Sequence, residues 1–121
     1  MSIPVQITFR GLPPSEAVEA RINEHANKLA TFHRRINQCR VMVESPHRRH
    51  QHGKLYHVRV DVTFPGGEVV VGRDPRSNHA HEDVYVAIRD AFDAARRQIQ
   101  DWVRRHRDGR PRDESVVEET G

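Results

Sequence analysis

At 121 residues, 31% charged and 36% hydrophobic, the chain has the size and composition of one soluble domain with a modest core, and it is too short for two. No apolar run approaches the roughly 20 residues that span a bilayer, the opening MSIPVQITFRG lacks the pattern of a secretory signal, and a single cysteine, Cys39, excludes an internal disulfide, so a cytoplasmic protein is expected. The 20 bases exceed the 17 acids by three, but residues 113–121, DESVVEETG, hold four acids and no base, which leaves 20 bases against 13 acids, or +7, in residues 1–112.

A basic body favours a polyanionic partner through long-range attraction and counterion release. All the bases but Lys28 and Lys54 are arginine. The guanidinium fork suits phosphate better than the point charge of lysine does, although GC-rich codon usage produces the same excess.

Residues Val5–Arg10 alternate, with Val5, Ile7 and Phe9 on one side and Gln6, Thr8 and Arg10 on the other, which predicts a half-buried strand. GLPPSE is a turn whose prolines suit a helix start. From Ser15 to about His33 the spacing of Val18, Ile22, Ala26, Leu29 and Phe32 is helical. Alternation returns at Asn37–Glu44, with Cys39, Val41 and Val43 on one face. It returns again at Tyr56–Phe64, where Tyr56, Val58, Val60, Val62 and Phe64 alternate with polar residues. Pro65-Gly66-Gly67 signals a tight turn into a short strand, Glu68–Arg73. A polar connection leads to a long helix, about Glu82 to His106, stopped by Asp108-Gly109 and Pro111. Residues 109–121 are expected to be a disordered acidic tail, and residues 1–108 a single domain.

The order β-α-β-β-β-α, with one polar face per strand, predicts an α+β fold: a four-stranded sheet with both helices on one face. The long helix has two characters. At roughly 100° per residue, Val84, Ile88, Ala91, Ala95, Ile99 and Trp102 share an arc of roughly 80°, the core side. Arg89, Arg96, Arg97, Arg104 and Arg107 share an arc of roughly 100° almost opposite, with Arg105 off its edge. A solvated face ordinarily mixes its charges. A stripe of like charge repels itself unless an anion is present, and this one points to nucleic acid. The first helix adds Arg21, His25 and Lys28 on one face.

The segment SPHRRHQHGKLYH, Ser45–His57, joins two strands. Its His47, His50 and His52 could hold zinc or copper, but structural zinc usually recruits thiolates, and the adjacent Arg48, Arg49 and Lys54 repel a cation. The stronger reading is adaptable contact between Arg48, Arg49 and Lys54 and a phosphate backbone. Catalysis by Cys39 with a histidine is weaker than a buried core thiol. No cofactor, small-molecule substrate or enzymatic step is expected. Phe9, Phe64, Phe92 and Trp102 all read as core, which leaves few aromatics for base stacking and favours recognition of folded RNA by shape and phosphate.

Several segments carry a resemblance: ITFRGLPPSEAVEARINEHANKLATF, INQCRVMVE, GGEVVVG and above all HEDVYVAIRDAFDAARRQI. In order and spacing they resemble the ribosome hibernation-promoting factors, also called ribosome-associated inhibitor A or sigma-54 modulation proteins, from about Ile3 to His106. The resemblance implies a domain shaped like double-stranded-RNA-binding domains. It implies binding to RNA of the small ribosomal subunit, in the channel of messenger and transfer RNA, and silencing of ribosomes in starvation or stationary phase. By position it favours Lys28, Arg97 and Arg104 or Arg105 as RNA contacts, with His25 where relatives often place a base. Relatives commonly carry lysine where this chain has Ala94, and Arg96 can compensate. No second, dimer-forming domain is expected to follow, so a monomer is expected. The alternatives are a general binder of structured RNA and a protein-binding modulator of transcription. The acidic tail is expected to fold back on the basic stripe.

Overall fold

Alternation makes the first strand. The computed structural model of the chain, which describes residues 3–45, 55–72 and 82–108, places β1 at Val5–Arg10, with Val5, Ile7 and Phe9 half-buried and Gln6, Thr8 and Arg10 exposed. Ser15 then holds the chain extended, and its hydroxyl accepts from the Val18 N–H at 3.3 Å. This cap satisfies one of the orphan donors of α1, Glu16–Phe32, while Glu16 and Glu19 sit at the positive end of its dipole. The helix buries Val18, Ile22, Ala26, Leu29 and Ala30. Phe32, predicted for the same stripe, is instead 44% exposed. It is the last residue of the helix, where the apolar period continues but the cover does not.

The second strand, β2 (Gln38–Glu44), runs parallel to β1, with Val5 opposite Cys39 and Arg10 opposite Glu44. Strand β3 (His57–Phe64) is antiparallel to β2, and β4 (Gly67–Val71) is antiparallel to β3. The sheet order is β1-β2-β3-β4. The β3–β4 turn places Gly66 at φ 89°, a left-handed conformation that side chains resist. The long helix, α2, spans Val84–Asp108. It begins two residues later than the acidic run predicts because Asp83 is the cap: its carboxylate accepts from the Tyr85 N–H at 2.9 Å and its carbonyl from the Ala87 N–H at 3.0 Å.

Because β1, β2 and β4 point one way and β3 the other, α1 and α2 return in the same direction. They lie side by side, with Arg21 over Tyr85 and, eleven residues along each helix, Arg96 over Phe32. Beneath them Cys39, Val41, Val43, Val58, Val60 and Val62 of the sheet meet Ile22 and Ala26 of α1 and Ile88, Ala91, Ala95 and Ile99 of α2, each 2% exposed or less. Burying one side chain of the size of Ile88 contributes about 1.5–3 kcal/mol. The alanines let the helical backbones come close. Trp102 fastens the second half of α2 to the hairpin: its ring meets Phe64 edge-on at 4.7 Å, and a Cβ on Gly67 would fall 2.9 Å from its Nε1.

The strand side of the sheet is less open than strict alternation predicts, since His57 and Asp61 are 5% and 9% exposed. Long neighbours cover them. Arg59 donates Nε–H to Asp61 at 2.9 Å and a second N–H at 3.2 Å, and Arg40, opposite Asp61 in the β2–β3 register, lies 3.6 Å from the same carboxylate. The His57 Nε2–H donates to the Gly72 carbonyl at 2.8 Å. Burial, and secondarily Asp61, pushes the Cys39 thiol up to about 12, which fits a core thiol. Among the described residues no helix is long and apolar enough to cross a membrane.

Candidate nucleic-acid interface

The groove between α1 and α2 collects cations because both helices bring a polar rim to the same seam. At its first end Arg21, His25 and Lys28 of α1 face Tyr85, Val86 and Arg89 of α2 around an open concavity. The Arg21 guanidinium lies 4.8 Å from the Tyr85 ring centre, a cation–π contact. In the middle His25, Lys28 and Phe32 face Phe92, Asp93 and Arg96. His25 stacks on Phe92 at 5.4 Å and 15°. Burial, and after it the Lys28 ammonium, holds its pKa below the usual imidazole value. At the far end Phe32 and His33 face Gln100, Val103 and Arg104. Burial, followed by Arg35, lowers the His33 pKa as well.

Five of the sequence candidates therefore meet in the first two concavities: Arg21, His25, Lys28, Arg89 and Arg96. Arg104 joins at the third. Arg97 is exposed on the outward side of α2. Arg105 is also exposed, but at roughly 100° per residue it falls about 80° beyond Arg97, past Asp101 and away from α1. Arg107 lies in the last turn of α2. Arg48, Arg49 and Lys54 lie outside the described residues, as do His47, His50 and His52 of the metal alternative and the acidic tail. Among the described residues no group of three His, Cys, Asp or Glu side chains is placed to hold a metal ion.

Carboxylates neutralise this face only in part. Arg89 reaches Asp90 at 3.4 Å, Arg104 reaches Asp101 at 3.3 Å and Arg21 reaches Glu24 at 3.5 Å, all exposed pairs of about 0–1 kcal/mol that an incoming phosphate can displace. Among the described residues Lys28, Arg97 and Arg105 make no ion pair. Tyr85, Phe32 and Gln100 also line the groove and were not among the sequence candidates. Phe32 carries a signal in retrospect: it is an apolar residue at the helix end, immediately before the break.

A mixed four-stranded sheet in β-α-β-β-β-α order, with a helical layer on one side, is an α+β fold shared with solved structures of ribosome-related proteins. A ribosomal subunit interface protein from Coxiella burnetii superposes with a TM-score of 0.63 at 14% identity, covering 81% of this chain and 94% of that one. The Protein Y N-terminal domain of Thermus thermophilus gives 0.64 at 22% identity, covering 84% and 99%. None of the curated proteins matches the chain significantly. The sequence matches the Sigma 54 modulation protein / S30EA ribosomal protein family over residues 5–107, and the chain belongs to that family.

Proposed function

We propose that this protein binds the RNA of the small ribosomal subunit, in the channel of messenger and transfer RNA, and silences idle ribosomes. The observation that carries the reading is the interhelical groove, where Arg21, Lys28, Arg89, Arg96 and Arg104 line one seam and Arg97 flanks it. Family membership supports it, as does the likeness to a protein described as a ribosomal subunit interface protein. The mechanism is occupancy: a rigid sheet backs two helices, and their cations displace counterions from folded RNA. No bond is made or broken. Residues 1–108 would form the binding domain, acting as a monomer in the cytoplasm of starved or stationary-phase cells. A protein-docking role in transcription is less well served. The exposed large hydrophobics among the described residues are Phe32 and Leu55, on separate segments.

The test is sedimentation of purified small subunits with wild-type protein and with the double variant Arg97→Glu, Arg104→Glu, alongside duplex RNA at equal salt. Wild type should co-sediment and prefer the subunit, whereas the folded double variant should stay at the top of the gradient. Co-sedimentation of that variant would remove the cationic face from the interface. Equal affinity for subunit and bulk duplex would make the protein a general binder of structured RNA.

A further inference from the structure

Phe32 is out of place as a core residue. It ends α1 with 44% of its surface exposed, and no strand covers it. On its exposed side most of its neighbours are polar or charged. The Arg96 guanidinium lies 5.5 Å from the ring centre, and His33, Gln100, Val103 and Arg104 complete an open concavity of about 420 Å³ beside it. That volume is within the range of small-molecule sites, roughly 300–1,000 Å³. The lining is poor for an apolar side chain from a protein partner, because two guanidiniums flank the phenyl ring and an imidazole lies beside it. It suits a flat, polar-edged ring attached to an anion. Phenyl offers a face for stacking, Val103 an apolar wall, the Gln100 amide both a donor and an acceptor, and Arg96 and Arg104 charge for a phosphate.

We propose that Phe32 is the stacking platform for one unpaired RNA nucleotide, with the base on its ring in the concavity with Gln100 and Val103 and the adjoining phosphate between Arg96 and Arg104. This rests on reading the groove as an RNA interface and adds to it what the groove selects. A paired A-form helix keeps its bases stacked on one another and offers phenyl no face; a bulge or loop does. The cationic seam then supplies affinity for any folded RNA, and Phe32 directs the protein to places where a base is out of the stack. The exposed ring, costly to leave in water, is put to use in the complex.

The experiment compares a fully paired RNA stem with the same stem carrying one bulged 2-aminopurine, at equal salt, with binding and base fluorescence both read. Wild type should bind the bulged stem roughly 10- to 100-fold tighter, the range that one base–aromatic stack gives, and quench the 2-aminopurine. Phe32→Leu should bring the two stems to within about twofold of each other and abolish the quenching, with a melting curve that shows the variant folded. Phe32→Trp should keep both the preference and the quenching. Equal binding of the two stems by wild type, or a preference that survives in Phe32→Leu, overturns the assignment of Phe32 and leaves the groove reading standing. Failure of wild type to bind either stem at low salt overturns the assignment of Phe32, and failure to co-sediment with small subunits as well overturns both.

Discussion

On the strand side of the sheet, Arg40 and Arg59 converge on Asp61, which accepts two hydrogen bonds from Arg59 and lies 3.6 Å from Arg40. On the helical side, Arg96 rests on a phenyl ring, Arg97 has no carboxylate among the described residues, and Arg89 and Arg104 hold exposed aspartates loosely at 3.4 and 3.3 Å. The same residue type does two jobs. Where a carboxylate is shared and mostly covered, arginine is part of the fold, and hydrogen bonding to Asp61 raises the Arg59 pKa further. Where the partner is absent or exposed, arginine keeps its charge available. The excess of bases therefore says less than how they are paired.

The largest expected effect comes from reversing the helical side. Arg97→Glu with Arg104→Glu should lower affinity for small subunits by about two orders of magnitude, whereas Arg40→Gln should leave it within about twofold; filter binding at fixed salt compares them, and equal losses would erase the distinction between the faces. Next, Asp61→Ala strands two guanidiniums on the strand side. It should cost about 1–3 kcal/mol of stability, seen as a lower urea midpoint, and should add low-salt RNA affinity on the strand side. A third variant pair sharpens the helical side alone: Arg97→Gln should reduce the slope of log affinity against log salt by about 1, while Arg105→Gln, turned away from α1, should leave it unchanged. If Arg105 matters as much as Arg97, the contact surface wraps around α2.

The smallest effect is on pH. Burial lowers the pKa of His25 and His33 from 6.5, with Lys28 and Arg21 adding to the shift at His25, Glu24 and Asp93 opposing it, and Arg35 adding at His33. The unfolded chain therefore binds more protons than the folded one as the pH drops. This stabilisation is complete above the unfolded value of 6.5 and is lost as the pH falls from there through the lower folded value. Urea midpoints should fall between about pH 7.5 and about pH 5.5, and less so in His25→Gln. A phosphate beside His25 favours its protonated form, so RNA binding should take up a proton and tighten on acidification. A pH dependence of RNA binding that His25→Gln leaves unaltered would place the RNA elsewhere.

Much of this architecture is legible in the sequence. Alternation locates β1 fully, and β2 and β3 to within one residue, because a period of two shows whenever one face is buried and the other is not. The ends of α2 each move by two residues, since a cap is decided by single atoms such as the Asp83 carboxylate, which periodicity does not see. The arginine stripe can be drawn on a helical wheel. The groove cannot, because it depends on α1 lying parallel beside α2 and matching Arg21 to Tyr85 and Phe32 to Arg96. The Arg40–Asp61 pair is equally hidden, as it follows from the register of β2 on β3 across the histidine-rich connection. Phe32 shows the remaining gap: spacing assigns a side chain to a face, but it does not say how far the cover over that face extends.

The common direction of α1 and α2 has an electrical consequence. Antiparallel neighbours cancel their peptide dipoles; these two add, so one mouth of the seam carries the positive ends of both helices and the other the negative ends, each worth about half an elementary charge. Arg34 and Arg35 after α1, and Arg104 and Arg105 near the close of α2, sit at the electronegative mouth and offset it. The seat thus has a heading. Any anion drawn to it meets a potential that differs from one mouth to the other, with the arginine side chains supplying at the electronegative mouth the charge that the helix ends lack there.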